Sequence, residues 1–278
     1  MKTRIITGAV WLAVFIPVLV FSHTFIFDIA IAIASGVGTI ELLRCVGIIK
    51  KYTVSVPSMV VSFIVPLMIR YVTKEAVMLI FIAYLFYLLY AAVFLRKDHS
   101  TNDIALCFFA AVFVTVSFAS IIITRDLKPY GDIIYLMIFI GAWSTDTFAY
   151  FTGNLFGKHK LIPDVSPKKT VEGAIGGVVF CAVAFVLYGF IIARMNRFDA
   201  EPNYILLAAA GIATSVIAAL GDLSMSAIKR NYNVKDFGTI FPGHGGILDR
   251  FDSVMAVAPV IMIISAILLT FDQYGLFM

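Results

Sequence analysis

Charge is what this chain has least of. Only 14% of its 278 residues are Asp, Glu, Lys or Arg, while 61% are hydrophobic. Soluble domains carry about 25% charged residues. A soluble fold of this length would need a polar surface that 21 basic and 17 acidic side chains could hardly supply. Most of the apolar residues must therefore face lipid or other helices in a bilayer. Cysteine is scarce as well: Cys45, Cys107 and Cys181 are scattered in or beside apolar runs and show no metal spacing. They read as core or lipid-facing thiols. Fixed-period repeats and low-complexity tracts are missing too. Together these absences exclude intrinsic disorder, nucleic-acid binding and a disulfide scaffold as the main description. The net charge of +4 is small, so the placement of the charges matters more than their sum.

What the chain does have is a succession of apolar runs. A helix needs about 20 apolar residues to cross the hydrocarbon. Nine stretches come near that: 5–21, 25–43, 54–69, 76–95, 104–124, 133–151, 173–193, 204–220 and 253–271. The third is short and carries Pro57 and Pro66, which membrane helices tolerate where neighbours satisfy the freed carbonyls. The first follows Lys2 and Arg4 in the manner of a signal peptide, but no small-residue cleavage site follows Phe21 and further spans come at once. A retained helix is expected. The fold class is an all-α integral membrane protein, a polytopic bundle of about nine transmembrane helices.

Orientation follows from the basic residues. With the N-terminus inside, Arg70, Lys74, Arg125, Lys128, Arg194 and Arg197 fall outside, and the other 15 of the 21 fall inside. The arrangement is N-in and C-out. It puts two polar, glycine-rich loops, residues 152–172 and 221–252, on the cytoplasmic side. The expected organisation is a scaffold of lipid-embedded helices over 1–132 and a catalytic portion over 133–278.

The two loops carry more chemistry than connectors need. Around the first, WSTDTFAYFTGNLFGKHK sets Asp146 within an apolar helix pattern, and an intramembrane carboxylate is a functional candidate by default. Helical spacing places Trp143, Asp146, Tyr150 and Gly153 on one face. An Asp that merely caps or bonds a neighbouring helix stays open as the alternative. Lys158, His159, Lys160, Lys168 and Lys169 follow, suited to phosphates. A cytoplasmic lysine cluster serves lipid-surface attraction and topology equally well.

The second loop, LGDLSMSAIKRNYNVKDFGTIFPGHGGILDRFDS, is denser. On a helix, Asp222, Ser226 and Lys229 fall at i, i+4 and i+7, and Asp249 and Asp252 at i and i+3. Between them, PGHGG offers glycine backbone whose N–H groups can form an anion nest. Hard carboxylate oxygens with few competing Cys or His suit Mg²⁺, which takes one or two carboxylates plus substrate phosphates. Lys and Arg neutralise the remaining phosphate charge. The composition points to a Mg-assisted nucleotide or phosphoryl site at the membrane surface. Asp222 and Asp249 as structural partners of Lys229 and Arg250, and His244 as a turn residue, remain the plainer readings. The substrate is anionic, and beyond that open.

Residues 226–252, SAIKRNYNVKDFGTIFPGHGGILDRFD, resemble the signature of the phosphatidate cytidylyltransferase family, the CDP-diacylglycerol synthases. The upstream DTxAY and SPKKTxEG blocks resemble the same family, and the matching blocks cover roughly residues 143–253. The first five spans resemble it only in hydrophobic layout. No signature position is substituted. The resemblance implies CMP transfer from CTP to phosphatidic acid, giving CDP-diacylglycerol and pyrophosphate, dependent on a divalent cation. It implies Asp222, Asp249, Lys229, Arg230 and His244 as the catalytic set, with Asp222 and Asp249 binding the metal. Asp146, Lys168, Lys169, Ser226, Gly245, Gly246 and Arg250 would bind substrate. The implied cofactor is Mg²⁺, with K⁺ beside it as a family-level addition. The implied partners are CTP, phosphatidic acid and membrane lipids, with no nucleic acid and a homodimer left open. The implied location is the cytoplasmic membrane, with the site facing the cytoplasm.

The lipid must enter sideways with its tails in the bilayer, so a membrane-open groove is expected near spans six to nine. Two rivals are kept: a CTP-dependent polyprenol kinase or cytidylyltransferase, and an ion-coupled transporter. Transporters often show inverted symmetry with interrupted spans in corresponding halves, which this sequence lacks. The orientation is open to direct test. In a cysteine-free background, a single cysteine placed in 221–252 is expected to react only with reagent supplied from the cytoplasmic face. Labelling from outside would overturn the topology.

Overall fold

The computed structural model describes residues 2–195, 201–269 and 276–277, with backbone alone for 2–6 and 9. Every expected span becomes a helix, as it must where no water is present to satisfy backbone N–H and C=O groups. The helices among the described residues are α1 Lys2–Val20, α2 Phe25–Cys45, α3 Tyr52–Met68, α4 Lys74–Phe94 and α5 Thr101–Asp126. They continue with α6 Gly131–Phe156, α7 Val171–Arg194, α8 Tyr204–Asn231 and α9 Leu248–Leu269. Seven are long and apolar enough to cross a membrane, while α1 and α3 offer the shorter apolar stretches Val10–Val20 and Tyr52–Met68. Arg197 and residues 270–271 of the last expected span lie outside the described residues, as do the side chains of Lys2 and Arg4.

The polar loops hold more structure than their composition announces. Helix α8 runs past residue 220 to Asn231, so Asp222, Ser226, Lys229 and Arg230 are helical. Lys229 and Arg230 fall in its last turn, where positive charge answers the helix dipole. In the other loop, α6 ends at Phe156 and an antiparallel hairpin follows, β1 Lys160–Ile162 and β2 Ser166–Thr170. This hairpin is the one addition to the all-α class among the described residues. Thr170 then caps α7, its hydroxyl accepting from Gly173 N at 3.1 Å.

The chain divides into two compact units: Met1–Ile122 with Asn231–Phe251, and Ile123–Arg230 with Asp252–Met278. In the first, hydroxyls link helices that hydrophobic packing alone would leave free to slide. Ser58 Oγ and Tyr84 Oη lie 2.8 Å apart, Tyr84 Oη donates to the Cys107 carbonyl at 3.1 Å, and Thr115 donates to Ser62 at 3.1 Å. Asp28, fully buried on α2, pairs with Arg70 at 3.1 Å and accepts from Tyr71 Oη at 2.8 Å. Lys51 pairs with Asp103 of α5. On α4, Met78, Leu79, Phe86, Val93 and Phe94 are more than half exposed, a face made for lipid.

In the second unit α6 and α7 are the close pair. Their contact depends on small residues: a Cβ on Gly176 would come within 2.2 Å of Thr152 Oγ1. Small residues are the usual means of bringing helix backbones together in a bilayer. Helix α8 meets α7 in the same way, Gly211 lying against the backbone of Ala182 and Cys181. Cys107 and Cys181 are buried thiols and Cys45 is half-buried.

Candidate active site

Each unit carries a polar centre that gathers residues expected from sequence. In the second unit it is built on α8, which continues beyond its apolar part into Asp222, Ser226 and Lys229. Ser226 Oγ donates to Asp222 Oδ1 at 3.3 Å, and Lys169 of β2 forms an ion pair with Asp222 Oδ2. The hairpin that delivers Lys169 is held at both ends. Arg230 Nε donates to the Val165 carbonyl at 3.4 Å. Glu172, in the first turn of α7, accepts from Lys158 N at 3.1 Å and lies 2.6 Å from His159 Nδ1.

Two further carboxylates join this centre from neighbouring helices. Asp146 of α6 accepts from Ser253 Oγ of α9 at 2.7 Å. Asp252, one residue earlier on α9, feels the negative charges of Asp222 and Asp146 and the positive charge of Lys229. Gly221 lets α8 lie against Ala256 of α9. Lys229 is buried, whereas Lys168 and Arg230 are exposed. Three carboxylates and two lysines thus share one partly buried neighbourhood, where an unanswered charge is expensive.

The first unit's centre is the segment 231–251. Asp249 Oδ2 accepts from Phe237 N at 2.7 Å and from Gly246 N at 2.9 Å. Glu41, deep on α2, accepts from Ile247 N at 3.1 Å and Leu248 N at 2.9 Å. These are orphan donors at the start of α9, so Glu41 caps that helix from 206 residues away. A Cβ on Gly246 would come within 2.1 Å of Glu41 Oε1, so a side chain here would displace the Glu41 carboxylate from its place. Gly245 takes a φ of 83°, and its carbonyl accepts from Phe241 N at 2.9 Å to close the PGHGG turn. Within PGHGG the Gly246 N–H is taken by the chain's own Asp249, and the next two N–H groups, of Ile247 and Leu248, are taken by Glu41.

Beside this turn is a cavity of about 500 Å³ whose polar side chains are Lys235, Asp236, Thr239, His244 and Arg250. His244 Nδ1 is buried and has no hydrogen-bond partner among the described residues. The residues expected from sequence therefore fall into two sets. Asp146, Lys168, Lys169, Asp222, Ser226, Lys229 and Arg230 belong to the second unit, and His244, Gly245, Gly246, Asp249 and Arg250 to the first. Asp222 and Asp249, named together as metal ligands, lie in different units with separate partners.

Sequence reasoning missed Glu41 and Ser253 as parts of these centres, and it gave Asp252 no separate role. Glu41 acts through the loop it holds. Glu41→Ala leaves two backbone donors unanswered and is expected to lower thermal stability by about 1–3 kcal/mol per donor and to reduce activity. Glu41→Gln keeps one acceptor and should recover most of both. Equal melting points and turnover for Glu41→Ala and the natural protein would reject this role.

The profile of the cytidylyltransferase family matches residues 2–268. The phosphatidate cytidylyltransferase of Bacillus subtilis (strain 168) is 35% identical over 274 residues, covering 96% of this chain and 98% of that protein. Those of Staphylococcus haemolyticus (strain JCSC1435) and Staphylococcus aureus (strain COL) are 36% identical over 269 and 271 residues, each covering 95% of this chain and 98% of the relative. The similarity is not confined to the C-terminal signature but runs through the first five helices as well, and the chain belongs to the cytidylyltransferase family.

Proposed function

We propose that the chain is a phosphatidate cytidylyltransferase of the cell membrane, working with Mg²⁺ and taking CTP from the cytoplasm. The observation that carries the reading is the gathering of Asp146, Asp222 and Asp252 with Lys169 and Lys229 on apolar helices, in a chain whose relatives bear that name. Asp222 and Asp146 repel charge on Asp252, and a hard cation bound here would ease that repulsion. No group of three or more His, Cys, Asp or Glu side chains among the described residues is arranged to hold a metal alone. Mg²⁺ commonly binds through one or two carboxylates and completes its shell with water and substrate phosphates. Asp222 is its proposed ligand here, and Asp249 is proposed by family resemblance. When bound, the ion would neutralise phosphate charge and stabilise the pyrophosphate leaving group.

The chain's own groups have a defined task. The phosphate monoester of phosphatidic acid is already anionic near neutral pH, so no strong base is required. One of its oxygens bonds to the α-phosphorus of CTP as the bond from that phosphorus to the β-phosphate bridge breaks, and pyrophosphate leaves. The barrier is repulsion between two anions. Lys168, Lys169, Lys229 and Arg230 answer it by screening the triphosphate, and Ser226 keeps Asp222 oriented. Lys169, already paired with Asp222, can turn from carboxylate to phosphate without leaving the centre. His244, with its buried Nδ1, is suited to bond a phosphate oxygen. Holding both substrates in line supplies the rest of the acceleration. No covalent enzyme intermediate is involved.

The rival polyprenol kinase would transfer the γ-phosphate instead. CTP labelled at the α- or the γ-phosphorus, offered with phosphatidate or polyprenol in detergent, separates the two. The α-label is expected in lipid product only with phosphatidate, and the γ-label only in pyrophosphate. Transfer of the γ-label to polyprenol, or no α-label in lipid, would contradict the proposal.

A further inference from the structure

An apolar groove of about 430 Å³ runs along α1 and α2 of the first unit, against residues 240–251. Its floor is small: Ala30 and Ala34 sit one turn apart on α2 and leave width beside α1. Its walls are aromatic. Trp11 and Phe15 of α1 stack at 4.6 Å, and both rings lean on Phe251, at 6.2 and 6.1 Å. One end of the groove is made by Pro242, whose carbonyl accepts from Thr7 Oγ1 at 3.2 Å.

Pro242 also lines the polar cavity of Lys235, Asp236, His244 and Arg250. Pro242 thus borders both a hydrocarbon-lined groove and a chamber with two cations and one carboxylate. The helices that form the groove carry the apolar stretches Val10–Val20 and Phe25–Cys45, which suit a lipid surround. Charge complementarity selects the occupant: a molecule with a hydrocarbon chain joined closely to an anionic head. A neutral apolar ligand leaves the chamber unused, and a soluble nucleotide leaves the groove empty.

We infer that this groove seats one acyl chain of the phosphatidate, with the lipid phosphate lying toward Lys235 and Arg250. The inference rests on the function proposed above, and it puts the lipid subsite on α1 and α2 and not near spans six to nine, where the sequence pointed. Moving a chain from bilayer to groove yields no hydrophobic gain, because lipid tails are as apolar as the groove. What the groove supplies is position. A chain held between Trp11, Phe15 and Phe251 restricts how the phosphate enters the chamber, which is the advantage of an oriented reactant. The effect therefore shows as discrimination by chain length.

Ala34→Trp fills the groove floor. It is expected to lower kcat/KM for dioleoyl phosphatidate about tenfold and to leave dihexanoyl phosphatidate within about twofold, with the KM for CTP unchanged. Equal loss on both chain lengths, or no loss on either, overturns the inference. The unaltered protein provides a second readout that does not depend on that variant folding. Phosphatidate with a diazirine at the chain terminus is expected to label groove residues of α1 or α2, and unlabelled phosphatidate, but not phosphatidylcholine, should displace it. Label spread over the lipid-facing side of α4, or unmoved by phosphatidate, marks bulk bilayer lipid and overturns the inference. Failure of the unaltered protein to make CDP-lipid from either chain length counts against the proposed function instead, and the crosslink then decides the groove alone.

Discussion

A carboxylate set among apolar helices must be answered by a cation or by hydrogen-bond donors, and much of this structure's specificity follows from that requirement. Removing one partner of a buried pair such as Asp28 and Arg70 costs about 3–5 kcal/mol, so such a pairing admits few alternatives. The pairings join segments distant in sequence: Asp28 with Arg70, Lys51 with Asp103, Lys169 with Asp222, Asp146 with Ser253 and Glu41 with the start of α9. Apolar packing brings helices together without choosing their register, since lipid competes for the same surfaces. The few charges make the choice.

Not all of these assemblies have the same meaning. Asp28 is wholly buried, with Arg70 and Tyr71 both turned to it, and such a closed arrangement is a fastening. The group of Asp146, Asp222 and Asp252 is different, because three acids and two lysines from four elements share one partly exposed neighbourhood. In the other unit, His244 keeps a buried ring nitrogen without a partner among the described residues, beside a polar cavity. Clustered charged groups and unanswered polar atoms are where a substrate has something to bond.

The helices were legible because hydrocarbon thickness sets their length and lipid leaves the backbone no other partner. The i, i+4, i+7 spacing of Asp222, Ser226 and Lys229 was legible for the same geometric reason, although the helix carrying them reaches Asn231, well past its apolar part. Glu41 was hidden only by its surroundings. The rule that singled out Asp146, a carboxylate inside an apolar run, applies equally to Glu41 and Asp28. The partner of the N–H groups that follow PGHGG was not legible, because Glu41 stands 206 residues from Ile247 and only the folded chain brings them together. Nor was the groove, whose small floor and aromatic walls come from α1, α2 and α9, three separate elements. Local pattern identifies the elements, and the long-range partners of polar groups appear only in the fold.

The central claim is that the carboxylates gathered around Asp222 form the seat of a Mg-bound nucleotide. Equilibrium binding of CTP to purified protein, measured across a Mg²⁺ titration for the natural chain and for Asp222→Asn, tests it most directly. The account predicts that Mg²⁺ strengthens CTP binding to the natural chain. In the variant, with helix content unchanged, this response should fall about tenfold or more, the scale of a lost charge-assisted ligand. An identical Mg²⁺ response in the two proteins would contradict it.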